Sequence, residues 1–409
     1  MSTTDRRHHV VFLGAGYLSI WSYRALKRKV GKQVDFTVVA PATVHTFHGW
    51  TGEVLSGELP PDAQLSPIAE AMPAARHVRG FARSVDRAAR TVEVERVDGA
   101  KQTVHYDHLI VGTGQYEDLG RVEGMEEHAF RLRDAGRTGK LAAHLDHCVE
   151  SARSAKDEKL RRKSLSVVVA GGGLAGVEAS VAIAQRLARA TEGTPERECA
   201  DVVLVSTTGE LATEMPPKLR AHVREEIQGN GVRVLAPARV VAVAADGVKL
   251  DDGAWLSAST VVAAVGNKPR PLPGLDDLPV DDRGAVRTDR LLQIAPGVWS
   301  GGDAASVPLA SGEPCPVDAA WAIGQGSWVG ANVARVIRGR RQRAFTWKSV
   351  GVTAGFGRDH AVLEAWGMAF RGRVAWLSRA AFFGYYLPSR PQLRRVLRAL
   401  ISRRRGKRA

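Results

Sequence analysis

Apolar residues along this chain gather into short β-branched runs, each broken by small residues and followed by a helical period. His9-Val10-Val11-Phe12-Leu13 runs into Gly14-Ala15-Gly16-Tyr17-Leu18-Ser19 and then a helical pattern through Leu26, which predicts strand, tight turn and helix in that order. Residues 165–170 repeat the scheme, with Gly171-Gly172-Gly173-Leu174-Ala175-Gly176-Val177-Glu178 opening an alanine-rich helix that reaches Arg189. Further strands are expected at 34–39, 106–111, 202–205, 261–265 and 297–300, several of them running into a glycine turn. Strands alternating with helices predict an α/β chain with parallel sheets. Near the end, Leu393, Val396, Leu397, Leu400 and Ile401 follow the i, i+3, i+4, i+7, i+8 spacing of an apolar helical stripe, with arginines on the other face. Aromatic residues concentrate just before it, at Trp366, Trp376, Phe382, Phe383, Tyr385 and Tyr386.

The glycine turns carry the first chemistry. In a G-x-G-x-x-G turn between strand and helix, the first two glycines let the backbone approach a pyrophosphate that rests on the amides opening the helix, and the third permits close helix-to-strand packing. Gly14, Gly16 and Ser19 form an imperfect copy, Ser19 being small enough to keep that packing; Gly171, Gly173 and Gly176 form a complete copy 157 residues later. Two copies imply two nucleotides. The acid that ordinarily ends the next strand and grips the adenosine ribose is absent from both, its places taken by Ala40 and Ser206. Ser206, backed by Thr207 and Thr208, offers hydroxyls but no neighbouring arginine, so NADH and NADPH both remain open.

Composition narrows the class. At 409 residues with 44% hydrophobic and 25% charged side chains the chain can bury a substantial core in two or three domains. Part of the +15 net charge is terminal: residues 392–409 carry Arg394, Arg395, Arg398, Arg403, Arg404, Arg405, Lys407 and Arg408 and no acid, leaving +7 for the rest. A basic amphipathic helix fits an anionic lipid surface; docking on its own protein or in a homodimer is the alternative. No nucleic-acid module accompanies the charge, so nucleic acid is not an expected partner. Cys148, Cys199 and Cys315 lie far apart with no CxxC pair, which suggests no disulfide framework, no metal and a reducing, cytoplasmic compartment. No apolar leader and no apolar run of 18 residues is found.

The paired fingerprints and Gly302-Asp303 resemble the pyridine-nucleotide flavoprotein superfamily over most of the chain. Within it, His45-Thr46-Phe47, Gly52-Glu53-Val54 and residues 351–376 look most like type II NADH dehydrogenases, single-chain enzymes that pass electrons from NADH through FAD to a quinone at the membrane surface. The resemblance implies two glutathione reductase-like Rossmann domains plus a C-terminal amphipathic module: a discontinuous FAD domain of 8–125 and 270–345, an inserted NAD(P)H domain of 126–269, and a membrane- or dimer-associating segment of 346–409. It implies FAD on Gly14, Gly16, Ser19, Thr113, Gly114, Gly302 and Asp303, with a helix N-terminus following Asp303 toward the flavin, and NAD(P)H on Gly171, Gly173, Gly176, Ser206 and Gly266. Glu178 would orient the nicotinamide; Glu53, Trp50, Ala320, Trp321 and Gln325 would face the electron acceptor. His45 and His48 are either proton donors near neutral pH or packing residues.

This chain departs from that family where its characteristic glutamines shape the quinone pocket. Ala320 and Gly324 stand there instead, and only Gln325 remains nearby. The activity expected is hydride transfer from NAD(P)H to flavin and on to a small-molecule acceptor, a quinone in the first place. A different small molecule or redox partner is the rival, and a flavin sensor or scaffold with little turnover is a third reading. The missing CxxC argues against the disulfide reductases, and the complete second fingerprint against sulfide:quinone reductases. The location implied is cytoplasmic, peripheral on the membrane's cytoplasmic face.

Overall fold

Strand β1 (His8–Leu13) turns into helix α1 (Tyr17–Val30) and returns as parallel strand β2 (Val34–Val39). All four residues from Val10 to Leu13 are shut off from solvent, as in a parallel strand covered by helices on both faces. The computed structural model describes residues 7–133 and 136–406, without the side chains of 402–406. The side chains of Arg403, Arg404 and Arg405, and residues Lys407 and Arg408, therefore lie outside the described part.

Continuing along the chain come the short helix α2 (Thr51–Leu55), β3 (Ala75–Val78), β4 (His108–Val111), α3 (Arg137–Ser154), β5 (Ser166–Ala170) and α4 (Leu174–Ala190). These are followed by β6 (Asp201–Val205), α5 (Pro217–Gly229), β7 (Thr260–Ala263), β8 (Val298–Ser300) and α6 (Ala319–Ile337). An antiparallel sheet of β9 (Gly351–Gly355), β10 (Ala361–Ala365) and β11 (Met368–Arg371) leads to the final helices α7 (Gly372–Tyr386) and α8 (Arg390–Gly406).

Contacts divide the chain into two units, the first from residues up to 45, 66–116 and 267–349, the second from 46–65, 117–266 and 350 onward. In the first, six strands run in the order Gln293–Ala295, β8, β4, β1, β2, β3, parallel except for the antiparallel Gln293–Ala295 edge. Helix α6 lies on α1, where the Ser22 hydroxyl donates to the Gly326 carbonyl at 2.9 Å. In the second, five parallel strands run in the order Phe130–Arg131, β7, β5, β6, Arg233–Leu235. In both sheets the fingerprint strand, β1 or β5, lies centrally with its sequence successor on one side and a much later strand on the other. That is the topological switch point, at whose carboxyl edge ligands bind in doubly wound folds. The α/β class and both Rossmann-like sheets expected from the sequence are therefore present.

Candidate active site

In the first unit Leu13 and Ser300 each pair with Val111, so β1, β4 and β8 end level with one another. The turns they feed, at Gly14, at Gly112-Thr113-Gly114 and at Gly301-Gly302-Asp303, consequently sit side by side. Gly14 has φ +87°, and a Cβ there would press into the Gly112 carbonyl oxygen; glycine alone meets both demands. Around a Cβ position on Gly16, and likewise on Gly114, no atom lies within 4 Å. The space over the first turn of α1 is open, as a pyrophosphate-binding turn requires. Ser19 is fully buried, its hydroxyl 2.7 Å from a Cβ position on Gly112, so it fills the helix-to-strand contact of the third fingerprint position. His45 braces the same turn: its Nδ1 bonds the Ala15 carbonyl at 3.1 Å and its ring meets Tyr17 edge-on at 4.8 Å.

Two expectations change here. Asp303 lies in a single 3-10 turn, Gly302–Ala304, and the next α-helix starts only at Ala319, where the Asp318 carboxylate accepts from the Trp321 amide at 2.8 Å. Pro308, Pro314 and Pro316 occupy the intervening stretch and keep it from continuing as helix. Gln325, expected at the acceptor, is buried, and its side-chain oxygen accepts from the Gly302 amide at 2.6 Å. It holds the glycine turn. The Cys315 thiol bonds Gln325 and is pushed up to about 11 by burial, so it is an inert packing group. At Gly324, Trp347 ring atoms lie 2.7 Å from a Cβ position. Trp321 stands edge-on to that indole at 5.1 Å, so an aromatic pair covers the place of the missing glutamine.

In the second unit Ala170 pairs with both Val205 and Ala263, bringing together the turns at Gly171, Ser206 and Gly266. A Cβ on Gly176 would press into the Gly171 carbonyl oxygen, the close approach for which the third glycine exists. Ser206 is only 3% exposed, and its hydroxyl donates to the Thr208 carbonyl at 2.9 Å. Its oxygen is spent on the loop, a role that its position at the strand end did not reveal.

The same unit holds a buried charge network. Glu53 (2% exposed, on α2) and Arg379 (4% exposed, on α7) form an ion pair through Oε1 and Nη1, and Arg379 also donates to the Gly49 carbonyl at 2.7 Å. Its guanidinium faces the rings of Phe383 at 4.5 Å and Trp50 at 5.7 Å. Glu178, on α4, accepts from the Gly355 amide at 2.7 Å and stands 3.8 Å from Arg379. Burial pushes the Glu178 carboxyl up to about 7, against the opposing pull of Arg379 and the Gly355 amide. Glu53 and Glu178 thus meet through an arginine that sequence reading missed. Ala320, Trp321 and Gln325 belong to the other unit. His48 is driven down to about 4, first by burial and then by Arg133, so its imidazole is neutral near pH 7 and does not supply a proton there.

Helix α8 docks on its own chain. Gln392 is buried and donates to the Ala63 carbonyl at 2.9 Å, and Arg395 to that of Leu65 at 2.9 Å. Val396 is buried, while Leu397 and Ile401 stay exposed beside Arg394 and Arg398. On α7, Val374, Leu377 and Tyr385, the last 80% exposed, lie outward at helical spacing. This second apolar stripe escaped the sequence reading because buried Trp376 and Arg379 interrupt it in the chain. No helix among the described residues is long and apolar enough to cross a membrane, and among them no group of His, Cys, Asp and Glu is arranged to hold a metal.

The chain is similar to the type II NADH:quinone oxidoreductase NdhA of Mycobacterium tuberculosis, 27% identical over 415 residues that cover 94% of this chain and 85% of that protein. It is similar to the type II NADH:quinone oxidoreductase of Staphylococcus aureus, 23% identical over 379 residues, 90% of this chain and 92% of that one. Among solved structures, NDH2 from Plasmodium falciparum in complex with NADH superposes with a TM-score of 0.88 at 14% identity, over 97% of this chain and 98% of that chain. The family described as pyridine nucleotide-disulphide oxidoreductase matches residues 8–326, from β1 through Gly326. With both fingerprints and the Gly302-Asp303 turn inside that match, the chain belongs to the pyridine nucleotide-disulphide oxidoreductase family.

Proposed function

We propose that this protein is an FAD-containing NADH dehydrogenase of the type II kind, which takes electrons from NADH and delivers them to a quinone at a membrane surface. One observation carries the reading: two separate glycine cradles, each at the switch point of its own parallel sheet, in a chain without a CxxC dithiol. The names of its relatives, which are NADH:quinone oxidoreductases, support it. FAD, when bound, supplies the hydride acceptor and the route by which electrons leave. The open space over Gly16 and Gly114 fits the pyrophosphate of such a cofactor. Residues 8–125 with 270–345 would form its domain, 126–269 that of NADH, and 346–409 the membrane-facing module.

The chain's own groups have definite tasks in this reading. Gly14, Gly16, Thr113, Gly114, Gly302 and Asp303 hold FAD, with Ser19 and Gln325 fixing the turns. Gly171, Gly173, Gly176 and Gly266 hold NADH. Glu178, poised near neutrality, orients the nicotinamide and can hold or yield a proton there, and Arg379 with Glu53 keeps its carboxylate in place. The outward stripes of α7 and α8, with their arginines, would lie on anionic lipid.

A second reading has an observation of its own. With Gly324 under Trp347 and the Gln325 side chain tied by its oxygen to the Gly302 amide and also bonded to the Cys315 thiol, the amide on this stretch of α6 is already engaged within the protein, which favours an acceptor held by aromatic stacking. The test is anaerobic mixing of the purified flavoprotein with NADH, following flavin bleaching near ~450 nm, then addition of a short-chain quinone. Bleaching with recovery supports the quinone reading. Bleaching that only another acceptor reverses supports the second, and absence of bleaching refutes both.

A further inference from the structure

In dinucleotide folds an acid at the end of the second strand hydrogen-bonds the adenosine ribose and disfavours a 2′-phosphate. Ser206 has that place here, and its hydroxyl is consumed inside the loop. A carboxylate nevertheless reaches the cradle from further along. The amide of Leu174, the first of α4, donates to both oxygens of Glu214, at 3.3 and 3.2 Å, and Glu214 Oε1 lies 2.8 Å from a Cβ position on Gly173. Glu214 is thus the acidic group seated on the second fingerprint.

Its surroundings argue for more than a helix cap. Arg220 anchors the backbone on either side, donating to the Thr213 carbonyl and to that of Met215, each at 2.9 Å. The Glu214 side chain itself is exposed and held only by long bonds to one amide, so it can swing aside for a pyrophosphate and still remain within the site. The cations nearest in sequence are committed elsewhere. Arg220 pairs with Glu210 at 2.6 Å. Lys218 donates to the Gly367 carbonyl at 2.6 Å and lies 3.9 Å from Glu364. A 2′-phosphate approaching this loop would meet two carboxylates, Glu210 and Glu214, and, in Lys218 and Arg220, cations already paired.

We propose that Glu214 replaces the missing strand-end acid and selects the dinucleotide whose adenosine ribose carries a free 2′-hydroxyl. The inference rests on the nucleotide reading of the second fingerprint. A carboxylate accepts a hydrogen bond from a ribose hydroxyl and repels a phosphate dianion, which separates NADH from NADPH without an arginine.

The test uses 5′-ADP and 2′,5′-ADP, which carry the adenosine half alone and undergo no turnover. Both are titrated calorimetrically into the purified flavoprotein, as wild type, Glu214→Gln and Glu214→Arg, with flavin absorbance and melting temperature as controls on folding. Wild type should bind 5′-ADP more tightly than 2′,5′-ADP. E214Q should narrow that ratio about tenfold, which is ~1.4 kcal/mol, and E214R should invert it. A ratio in E214Q within about twofold of wild type, or equal tightening of both ligands, would show a cap that merely competes with any phosphate and would overturn the proposal. Failure of both ligands to bind wild type at millimolar concentration would instead sink the nucleotide reading itself, and this inference with it.

Discussion

Removing the charge of Arg379 should destabilise the second unit severely and in a pH-dependent way. The substitution Arg379→Met keeps an apolar stem against Trp50 and Phe383 but leaves Glu53 buried without its cation, and Glu178 without its neighbour. Both members of the Glu53–Arg379 pair are at most 4% exposed, so solvent cannot screen the loss. Breaking a buried pair from one side costs about 3–5 kcal/mol. A unit of this size shifts by about 2–4 °C per kcal/mol, so its transition should fall by roughly 6–20 °C at pH 7.5. Lowering the pH to 5 protonates Glu178, whose carboxyl burial holds up at about 7, and the gap to wild type should shrink. Adding Glu53→Gln removes one of the two uncompensated charges, and the double variant should recover most of the loss. The assay is differential scanning calorimetry of the three proteins at both pH values. An R379M transition within about 2 °C of wild type at pH 7.5, or a deficit that neither acid nor E53Q relieves, would refute the reasoning.

The Glu178 carboxyl, raised to about 7 from 4.5, keeps its proton in the folded state after the unfolded chain has lost it. Its contribution to stability is therefore full below pH ~4.5 and lost as pH rises to about 7; melting temperatures of Glu178→Gln measured across that window should show a shallower decline than wild type. Gly14→Ala must adopt φ +87° and push against Gly112, so the variant should purify with most of its flavin absorbance gone while far-ultraviolet circular dichroism stays near wild type. Replacing Leu377, Tyr385, Leu397 and Ile401 together by serine should cut cosedimentation with anionic vesicles at least tenfold, at roughly 1 kcal/mol or more per large side chain, without changing the rate of flavin bleaching by NADH.

Both fingerprints were readable because their demands are local: a strand, a turn that needs glycine, and amides at a helix start all lie within about a dozen residues. Their placement on neighbouring strand ends followed from the rules of parallel sheets. What could not be read depends on contacts between distant segments. Arg379 meets Glu53 across 326 positions, and nothing around either residue marks the other. Ser206 looked available until the loop carrying Thr208 folded back on it. The helix expected directly after Asp303 was inferred from resemblance, whereas three prolines in the following stretch already argued for a delay. In α8 the apolar stripe was correctly periodic, yet periodicity cannot say that Val396 would be buried while Leu397 and Ile401 would not.

The strand order of the first sheet has a consequence for how the protein is made. Strand β4 has β1 on one side from early in synthesis, but its other neighbour, β8, begins at Val298, nearly 190 residues after β4 ends at Val111. At about 5–20 residues per second a ribosome needs roughly 10–40 s to supply it. For that interval β4 presents an unpaired edge, and the first cradle lacks its Gly302 wall. A nascent chain halted before residue 302 should therefore retain no flavin, however well its opening βαβ segment has formed, and it should be the species most in need of a chaperone.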